Sequence, residues 1–308
     1  MPFEPSREKV AVVTGGAGGI GLGMARAFAG VGMKVVIADI DAQRVNESGE
    51  ALRAAGNDVL AVPTDVSRLD SVAHLATAAM DTYGRVDVLC NNAGVGIFSR
   101  IGETTIEEWE WAIGINLWGP IYGVKTFLPL IERNAGAGHI NATASISGLI
   151  AGGTVAPYNV TKHGVVALMA TLEREFRSAK TPHRASVLCP GPINTQIGRN
   201  SVNRRRADLN PEGFARAADT TARAGSAIQD TSDVTTALSS SQTGKKLGGK
   251  LSGALASGMH PDRVGEIVLD AIINDKFWIF THKSLLKFVR EQSDLMETEQ
   301  LLSRGKLV

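Results

Sequence analysis

The sequence predicts an α/β fold, a doubly wound parallel sheet of about seven strands with helices on both faces. Two observations carry this prediction. Short β-branched runs alternate with longer stretches of helical periodicity. The runs are also apolar almost throughout, as expected for parallel strands that helices cover on both sides. No internal repeat interrupts the pattern, so we expect a single domain over residues 1–308.

The elements follow one another in a regular order. The predicted strands are Val10–Val13, Lys34–Ala38, Val59–Val62, Val86–Cys90, His139–Ala142, Ala185–Cys189 and Lys276–Phe280. The predicted helices are Gly19–Val31, Ala42–Ala55, Leu69–Tyr83, Ile106–Glu132, Pro157–Ser178, Pro261–Asn274 and a polar helix from about Lys283 to Ser303. The segment Thr220–Gly258 is rich in Ser, Thr, Gly and Ala, which indicates a loop. We expect residues 197–260 to form a lid, an insertion in the domain.

Composition excludes several classes of protein. The 32 basic and 31 acidic side chains give a net charge of +1, so no overall field favours nucleic acid or an anionic membrane surface. Cys90 and Cys189 lie in apolar runs, which argues against a disulfide framework and for a reducing compartment. The six His residues show no metal-ligand spacing, so we expect no metal. Without a signal peptide or an apolar stretch near ~20 residues, we expect a soluble, cytoplasmic protein.

A glycine-rich segment, TGGAGGIG, connects the first predicted strand to the first helix. Such a turn lets a dinucleotide pyrophosphate lie against backbone N–H groups at a helix N-terminus, as in a Rossmann-like fold. Asp39 ends the second strand, 18 residues after Gly21, where a carboxylate binds ribose hydroxyls and repels a 2′-phosphate. No Lys or Arg interrupts the loop, and Ile40 follows Asp39, so NAD(H) is expected over NADP(H). The alternative role for Asp39 is a helix cap.

Tyr158 and Lys162 stand at i and i+4 on a predicted helix, on one face. With TGGAGGIG, the motifs NNAG (Asn91–Gly94), INLWG, ASISG, YNVTK and PGPINT make the chain, from about Val10 to Thr195, similar to the classical short-chain dehydrogenase/reductase family. Ser145 precedes Tyr158 by 13 residues, a spacing that the family also uses. The resemblance implies a dinucleotide-binding catalytic domain that transfers hydride between a nicotinamide cofactor and an alcohol or ketone.

The resemblance also implies a catalytic set of Asn116, Ser145, Tyr158 and Lys162. Tyr158 carries the proton, and the Lys162 ammonium together with oxidised nicotinamide is expected to lower its pKa from near ~10. Ser145 orients the substrate oxygen. Asn116 holds a water that links Lys162 to solvent, or is a satisfied core amide.

The cofactor set joins the glycine loop to the loops after the later strands. It comprises Thr14, Gly15, Gly18, Gly19, Ile20, Gly21, Asp39, Ile40, Asp65, Val66, Asn92, Ala93, Gly94, Tyr158, Lys162, Pro190, Gly191, Ile193 and Thr195. In NNAG, Asn91 and Gly94 are expected to be structural and cofactor-facing. Asn203–Arg206 (NRRR) is interpreted as a solvated face of the lid rather than a phosphate site.

Substrate choice is assigned to apolar residues near the expected crevice. Together with Ser145 they are Val95, Ile97, Phe98, Leu149, Ile150 and Ile197, each of which could equally be core. Apolar walls favour a bulky, aromatic secondary alcohol or its ketone. The segments EEWEWAIGINLWGPI and FWIFTH are similar to bacterial dehydrogenases of lignin-derived aryl ethers. Hydroxysteroid and general ketone reduction remain open.

Two further classes are disfavoured. An NAD-binding regulator would be free to lose Tyr158 and Lys162, and both are present. A nucleotide-sugar epimerase or dehydratase would resemble a branch with another glycine spacing. The family implies a homotetramer, or a homodimer, in which the helices around residues 106–132 and 157–178 form one face between subunits.

Overall fold

The computed structural model describes residues 3–209 and 255–299. Its strands are β1 Val10–Thr14, β2 Lys34–Asp39, β3 Val59–Pro63, β4 Val88–Asn91, β5 His139–Thr143, β6 Arg184–Cys189 and β7 Trp278–Phe280. They form one parallel sheet in the order β3-β2-β1-β4-β5-β6-β7. The chain therefore winds outward from β1 to β3, crosses back, and continues from β4 to β7. The predicted fold class is confirmed.

Helices cover both faces of this sheet. Their bounds are α1 Gly19–Gly30, α2 Ala42–Ala54, α3 Leu69–Tyr83, α4 Ile106–Ile113, α5 Gly119–Glu132, α6 Ala156–Ser178, α7 Ile197–Leu209, α8 Pro261–Ile273 and α9 Leu286–Glu297. On one face α1, α2 and α8 bury an apolar core around Met24 and Phe28. On the other face α3, α5 and α6 bury a second core around Phe127 and Met169. Two buried layers explain why the strand sequences are apolar throughout.

Two predicted helices differ in the structure. The single helix expected over Ile106–Glu132 is α4 and α5 joined by a π-helical turn, Gly114–Trp118. The wider turn leaves the apolar pattern nearly unchanged, so periodicity does not show it. The last helix begins only after a 3₁₀ turn at Lys283–Leu285 and ends at Glu297, short of the expected end at Ser303, which itself lies outside the described residues.

The expected lid is described only at its two ends. Its first 13 residues form the helix α7, and residues 210–254, which hold most of the predicted loop Thr220–Gly258, lie outside the described residues. The assignment of residues 1–308 to one domain stays a prediction. Among the described helices, none combines the length and the apolar character that crossing a bilayer requires.

Candidate active site

A cleft of about 980 Å³ lies at the carboxyl ends of the strands. Its walls come from the loops after β1 to β6, at the point where the chain reverses between β1 and β4. Parallel sheets of this topology bind ligands at that switch point. The residues of the predicted cofactor set that line it are Gly15, Gly18, Gly19, Ile20, Asp39, Ile40, Asp65, Val66, Asn92, Ala93, Gly94, Tyr158, Lys162, Pro190 and Thr195.

The glycine loop is wedged between its neighbours. Gly15 has φ +64°, and a Cβ there would lie 2.9 Å from Ala93 Cα. A Cβ on Gly21 would lie 2.1 Å from the Gly15 carbonyl oxygen, so neither position admits a larger residue. Gly18 caps α1 and offers no side chain to the first helical N–H groups. These open donors and the helix dipole suit a pyrophosphate, so the loop fits a dinucleotide cofactor.

Thr14, which lies outside the cleft walls, and Asn92, which lines them, connect the loops around the cleft. Thr14 Oγ1 accepts hydrogen bonds from the backbone N–H of Asn92 (2.9 Å) and Ala93 (3.1 Å). Asn92 Nδ2 donates to the Thr14 carbonyl at 3.0 Å, and Thr143 Oγ1 donates to Asn92 Oδ1 at 3.1 Å. The ends of β1, β4 and β5 are therefore held in one network. Thr14 and Gly21 lie outside the cleft walls and contact the residues that form them.

Asp39 lies at the end of β2 with its carboxylate half-buried. Its two oxygens accept the backbone N–H groups of Ala17 and Asp41, each at 3.2 Å. Burial raises the pKa of Asp39, against the opposing effect of these hydrogen bonds and of Arg44. The cap of α2 is Asp41, which accepts the Arg44 N–H at 3.0 Å, so the alternative role of Asp39 as that cap is wrong.

The side chains of Ser145, Tyr158 and Lys162 meet where β5 ends against the start of α6. Tyr158 and Lys162 share one face of α6, with Nζ 5.5 Å from the phenol ring centre. Ser145 is buried and caps a 3₁₀ turn, Ile146–Gly148; its Oγ accepts the Ser147 N–H at 3.1 Å. The Ser145 hydroxyl lies close enough to the Tyr158 phenol to lower the pKa of that phenol. The predicted trio is thus brought together at one end of the cleft.

Burial sets the protonation of this trio in the protein alone. It raises the pKa of Tyr158, and the nearby Ser145 hydroxyl opposes this only in part. It lowers the pKa of Lys162 to about 8, while Nζ donates to the Thr143 carbonyl at 2.8 Å. Desolvation therefore decides the pKa of Tyr158 in the protein alone. The lowering expected from Lys162 together with oxidised nicotinamide stays a prediction.

Asn116 lies in the π-helical turn and is buried. Its Oδ1 accepts the Val95 N–H at 2.8 Å, and its Nδ2 donates to the Val95 carbonyl at 2.9 Å and to Thr161 Oγ1 at 3.4 Å. The amide therefore clamps the loop after β4 to α6. This is the satisfied core amide that the sequence left open as an alternative, and a water relay through Asn116 stays a prediction.

Several predicted site residues lie elsewhere. Ile97, Ile150 and Ile193 are buried core residues, at most 4% exposed, and outside the cleft walls. The cleft walls also exclude Phe98, Leu149, Gly191 and Asn91; the Asn91 amide turns towards α5 and donates to the Pro120 carbonyl at 3.4 Å. Val95 and Ile197 do line the cleft. Asn91 thus has a structural contact outside the cleft walls.

The sequence interpretation missed a polar network that joins α7 to the rest of the site. Asp208 accepts the Trp111 indole N–H at 2.8 Å and pairs with Arg204 at 2.5 Å. Arg205 pairs with Glu108 of α4 at 2.7 Å. Interpreting NRRR as a solvated face is therefore wrong for these two arginines, which are partly buried and ion-paired. The i, i+4 spacing of Arg204 and Asp208 was the available signal.

Comparisons with known proteins agree with this geometry. Residues 9–206 match the family model described as short chain dehydrogenase. A short chain dehydrogenase/reductase from Burkholderia phymatum, solved in complex with NAD, superposes with a TM-score of 0.81 and 32% identity, covering 96% of this chain and 98% of that one. LigO in its apo form, from Sphingobium sp. strain SYK-6, gives a TM-score of 0.73 and 29% identity, covering 96% and 90%.

A curated relative adds an activity to the comparison. The 1-deoxy-11-beta-hydroxypentalenate dehydrogenase of Streptomyces exfoliatus is 37% identical over 192 residues, which are 61% of this chain and 69% of the relative.

Proposed function

The chain belongs to the classical short-chain dehydrogenase/reductase family, and from that premise we propose that it is an NAD(H)-dependent enzyme with Tyr158 as its acid/base. Its substrate in this proposal is a bulky, aromatic secondary alcohol or the corresponding ketone. The observation that carries the proposal is the Ser145–Tyr158 hydroxyl pair beside Lys162, in a cleft that also contains the glycine loop.

In this proposal Ser145, Tyr158 and Lys162 each have a separate role in proton transfer. When bound, the nicotinamide cofactor accepts or supplies the hydride. Ser145 has one acceptor position filled by the Ser147 N–H, which fixes the hydroxyl for a hydrogen bond to the substrate oxygen. Tyr158, whose pKa burial raises, holds a proton that it gives to a ketone oxygen. With a pKa of about 8, Lys162 is roughly nine-tenths protonated at pH 7, and its charge supports removal of the proton from an alcohol.

Preference for NAD(H) is supported by Asp39, whose carboxylate lies at the cleft wall. A 2′-phosphate placed there meets a negative charge that is half removed from water. Asp39→Asn removes the charge and retains an acceptor for the loop N–H groups. We expect the ratio of Kd values, NADP+ over NAD+, to fall about tenfold or more. A wild type that already binds NADP+ more tightly would contradict the preference.

An aromatic substrate is supported by the apolar side chains in the cleft walls, namely Val95, Trp111, Ile115, Ile197 and Leu209. Trp111 provides the flat ring in this set that can stack on an aryl group, and the aliphatic side chains add apolar contact area. The second candidate function is reduction or oxidation of a hydroxysteroid or of a general ketone and its alcohol, because one relative is named 1-deoxy-11-beta-hydroxypentalenate dehydrogenase.

The direct test is NAD+ reduction by matched panels of aryl, steroid and aliphatic secondary alcohols. We expect the highest kcat/KM with a benzylic alcohol. Fastest turnover of a steroid or aliphatic alcohol would replace the aromatic assignment with the second candidate. Cofactor binding without turnover of any alcohol in the panels would favour the alternative that the protein is a non-catalytic NAD-binding regulator.

We further propose that the enzyme is a homotetramer or homodimer, through α5 and α6. Trp118, directly before α5, and Val160, within α6, are 47% and 52% exposed. Trp118→Glu should lower the mass measured by light scattering, and an unchanged mass would exclude this face. The two buried, free cysteines support the cytoplasm as the proposed location.

A further inference from the structure

Thr281 directly follows β7 and brings a hydroxyl to a loop that forms part of the cleft. β6 pairs with β7 in a register that places Cys189 beside Phe280. The residues after these two strands, Pro190 and Thr281, therefore lie next to each other at the carboxyl edge of the sheet. The segment FWIFTH thus ends beside the loop that carries Pro190, a residue of the cleft wall.

Two hydrogen bonds hold the start of the loop after β6, which comprises residues 190–195. The Pro190 carbonyl accepts the Ile146 N–H at 3.0 Å. Thr281 Oγ1 accepts the Gly191 N–H, also at 3.0 Å. The first bond joins two backbone groups, whereas the second depends on a side chain. A substitution of Thr281 can therefore remove one support of the loop and leave the other in place.

The Thr281 hydroxyl is itself held by the next residue. Its Oγ1 lies at hydrogen-bond distance, 2.8 Å, from His282 Nδ1. The His282 ring also packs against the loop, because a Cβ on Gly191 would lie 2.8 Å from Nδ1. Among the described residues, the Gly191 N–H has no hydrogen-bond acceptor other than Thr281 Oγ1. Loss of this hydroxyl would leave a partly buried donor unpaired, which is costly.

The bond from Ile146 connects the same loop to the candidate catalytic set. Ser145 directly precedes Ile146, and its Oγ accepts the Ser147 N–H, so the position of the Ser145 hydroxyl follows the backbone of this 3₁₀ turn. A shift of Pro190 would displace the turn. Misplacing a reacting group by about 1 Å can cost on the order of 10²-fold in rate.

We propose that Thr281 is a positioning residue, which holds Pro190 and, through Ile146, keeps the Ser145 hydroxyl in the geometry that the chemical step requires. The inference rests on the proposed function, since it assigns Ser145 to the substrate oxygen. Thr281 lies outside the cleft walls and touches neither ligand site. Its loss therefore acts on the rate of the chemical step more than on the affinity for the dinucleotide.

The test compares Thr281→Val, which replaces the hydroxyl with a methyl group of similar size, with Thr281→Ser, which keeps the hydroxyl. It measures kcat, the Kd for NAD+ and the isotope effect on kcat of deuterium at the carbinol carbon. The probe is the alcohol of the panels that the wild type oxidises with the highest kcat/KM. Thr298→Val is the control, because Thr298 is an exposed threonine at the end of α9 whose hydroxyl donates to the Leu295 carbonyl at 3.1 Å.

We expect Thr281→Val to lower kcat about tenfold, with a Kd for NAD+ within about threefold of the wild type. The isotope effect should be at least as large as in the wild type, because hydride transfer becomes the slowest step. Thr281→Ser should recover most of the rate. Thr298→Val should match the wild type in all three measurements.

An unchanged kcat in Thr281→Val, or an equal loss in Thr281→Val and Thr281→Ser, would overturn the inference. A smaller isotope effect, or a loss confined to the Kd for NAD+, would overturn it as well. If Thr281→Val lacks a native urea transition, Thr281→Ala removes the same hydroxyl and is judged by the same measurements. These results leave the proposed function intact, whereas a wild type without turnover of any alcohol in the panels would refute that function.

Discussion

Gly21→Ala is the substitution whose effect the structure specifies most closely. The new Cβ would lie 2.1 Å from the Gly15 carbonyl oxygen and 2.6 Å from Asn92 Nδ2. Real Cβ atoms essentially never approach below 3.0 Å, so α1 and the loop must separate by about 0.9 Å, from 2.1 to 3.0 Å. The Gly15 backbone also packs closely against Ala93, which leaves the loop little room to shift. Overpacking of this kind costs about 1–3 kcal/mol.

The same displacement moves the N–H groups at the start of α1. We therefore expect Gly21→Ala to lower the urea midpoint and to weaken NAD+ at least about tenfold, or ~1.4 kcal/mol. Gly30→Ala is the matched control on the same helix, because nothing lies within 4 Å of its Cβ position. That variant should bind NAD+ normally and gain up to about 1 kcal/mol in stability. Normal NAD+ affinity in Gly21→Ala would refute the assignment of this loop to the cofactor.

Two further predictions concern a buried base and the α7 contact. Burial lowers the pKa of His139 from 6.5 to about 3. Between these pH values the unfolded chain binds a proton that the native state does not. The free energy of unfolding therefore falls as pH drops below about 6.5, by up to about 1.4 kcal/mol per pH unit. His139→Gln should flatten this pH dependence in urea titrations between about pH 4 and pH 7. An unchanged slope would assign the pH dependence to other groups. For the second prediction, Asp208→Ala removes the hydrogen bond from Trp111 and should raise the KM of the alcohol about three- to tenfold, with NAD+ affinity unchanged. An unaltered KM would show that α7 does not shape the substrate side.

The fold was predictable because its determinants are local. Short, β-branched apolar runs such as Val10–Val13 favour strands buried on both faces, and their alternation with helices favours a parallel sheet with right-handed crossovers. The π-helical turn at Gly114–Trp118 was not predictable, because one additional residue in a turn barely changes the apolar period.

The candidate site was predictable where function requires a residue type at a fixed spacing, as for Tyr158 and Lys162. The site was not predictable where packing alone decides whether an apolar side chain lines the cleft or lies in the core. Ile97 and Ile150 follow motifs that line the cleft, yet they turn into the core, since an apolar residue next to a loop suits a pocket and a core equally. The place of Arg44 in the cleft wall was not predictable, because its guanidinium lies beside Gly18 through space rather than along the chain.

The most direct test of the account is the rate of NADH formation by Tyr158→Phe beside Tyr122→Phe, each with its Kd for NAD+. Tyr122 stacks on Trp118 and lies outside the cleft walls, so it controls for the loss of a phenol oxygen. We predict that Tyr158→Phe loses about 10²- to 10⁴-fold in kcat, with a Kd within about threefold of the wild type. Tyr122→Phe should retain full activity. Wild-type turnover by Tyr158→Phe would contradict the assignment of Tyr158 as the proton carrier.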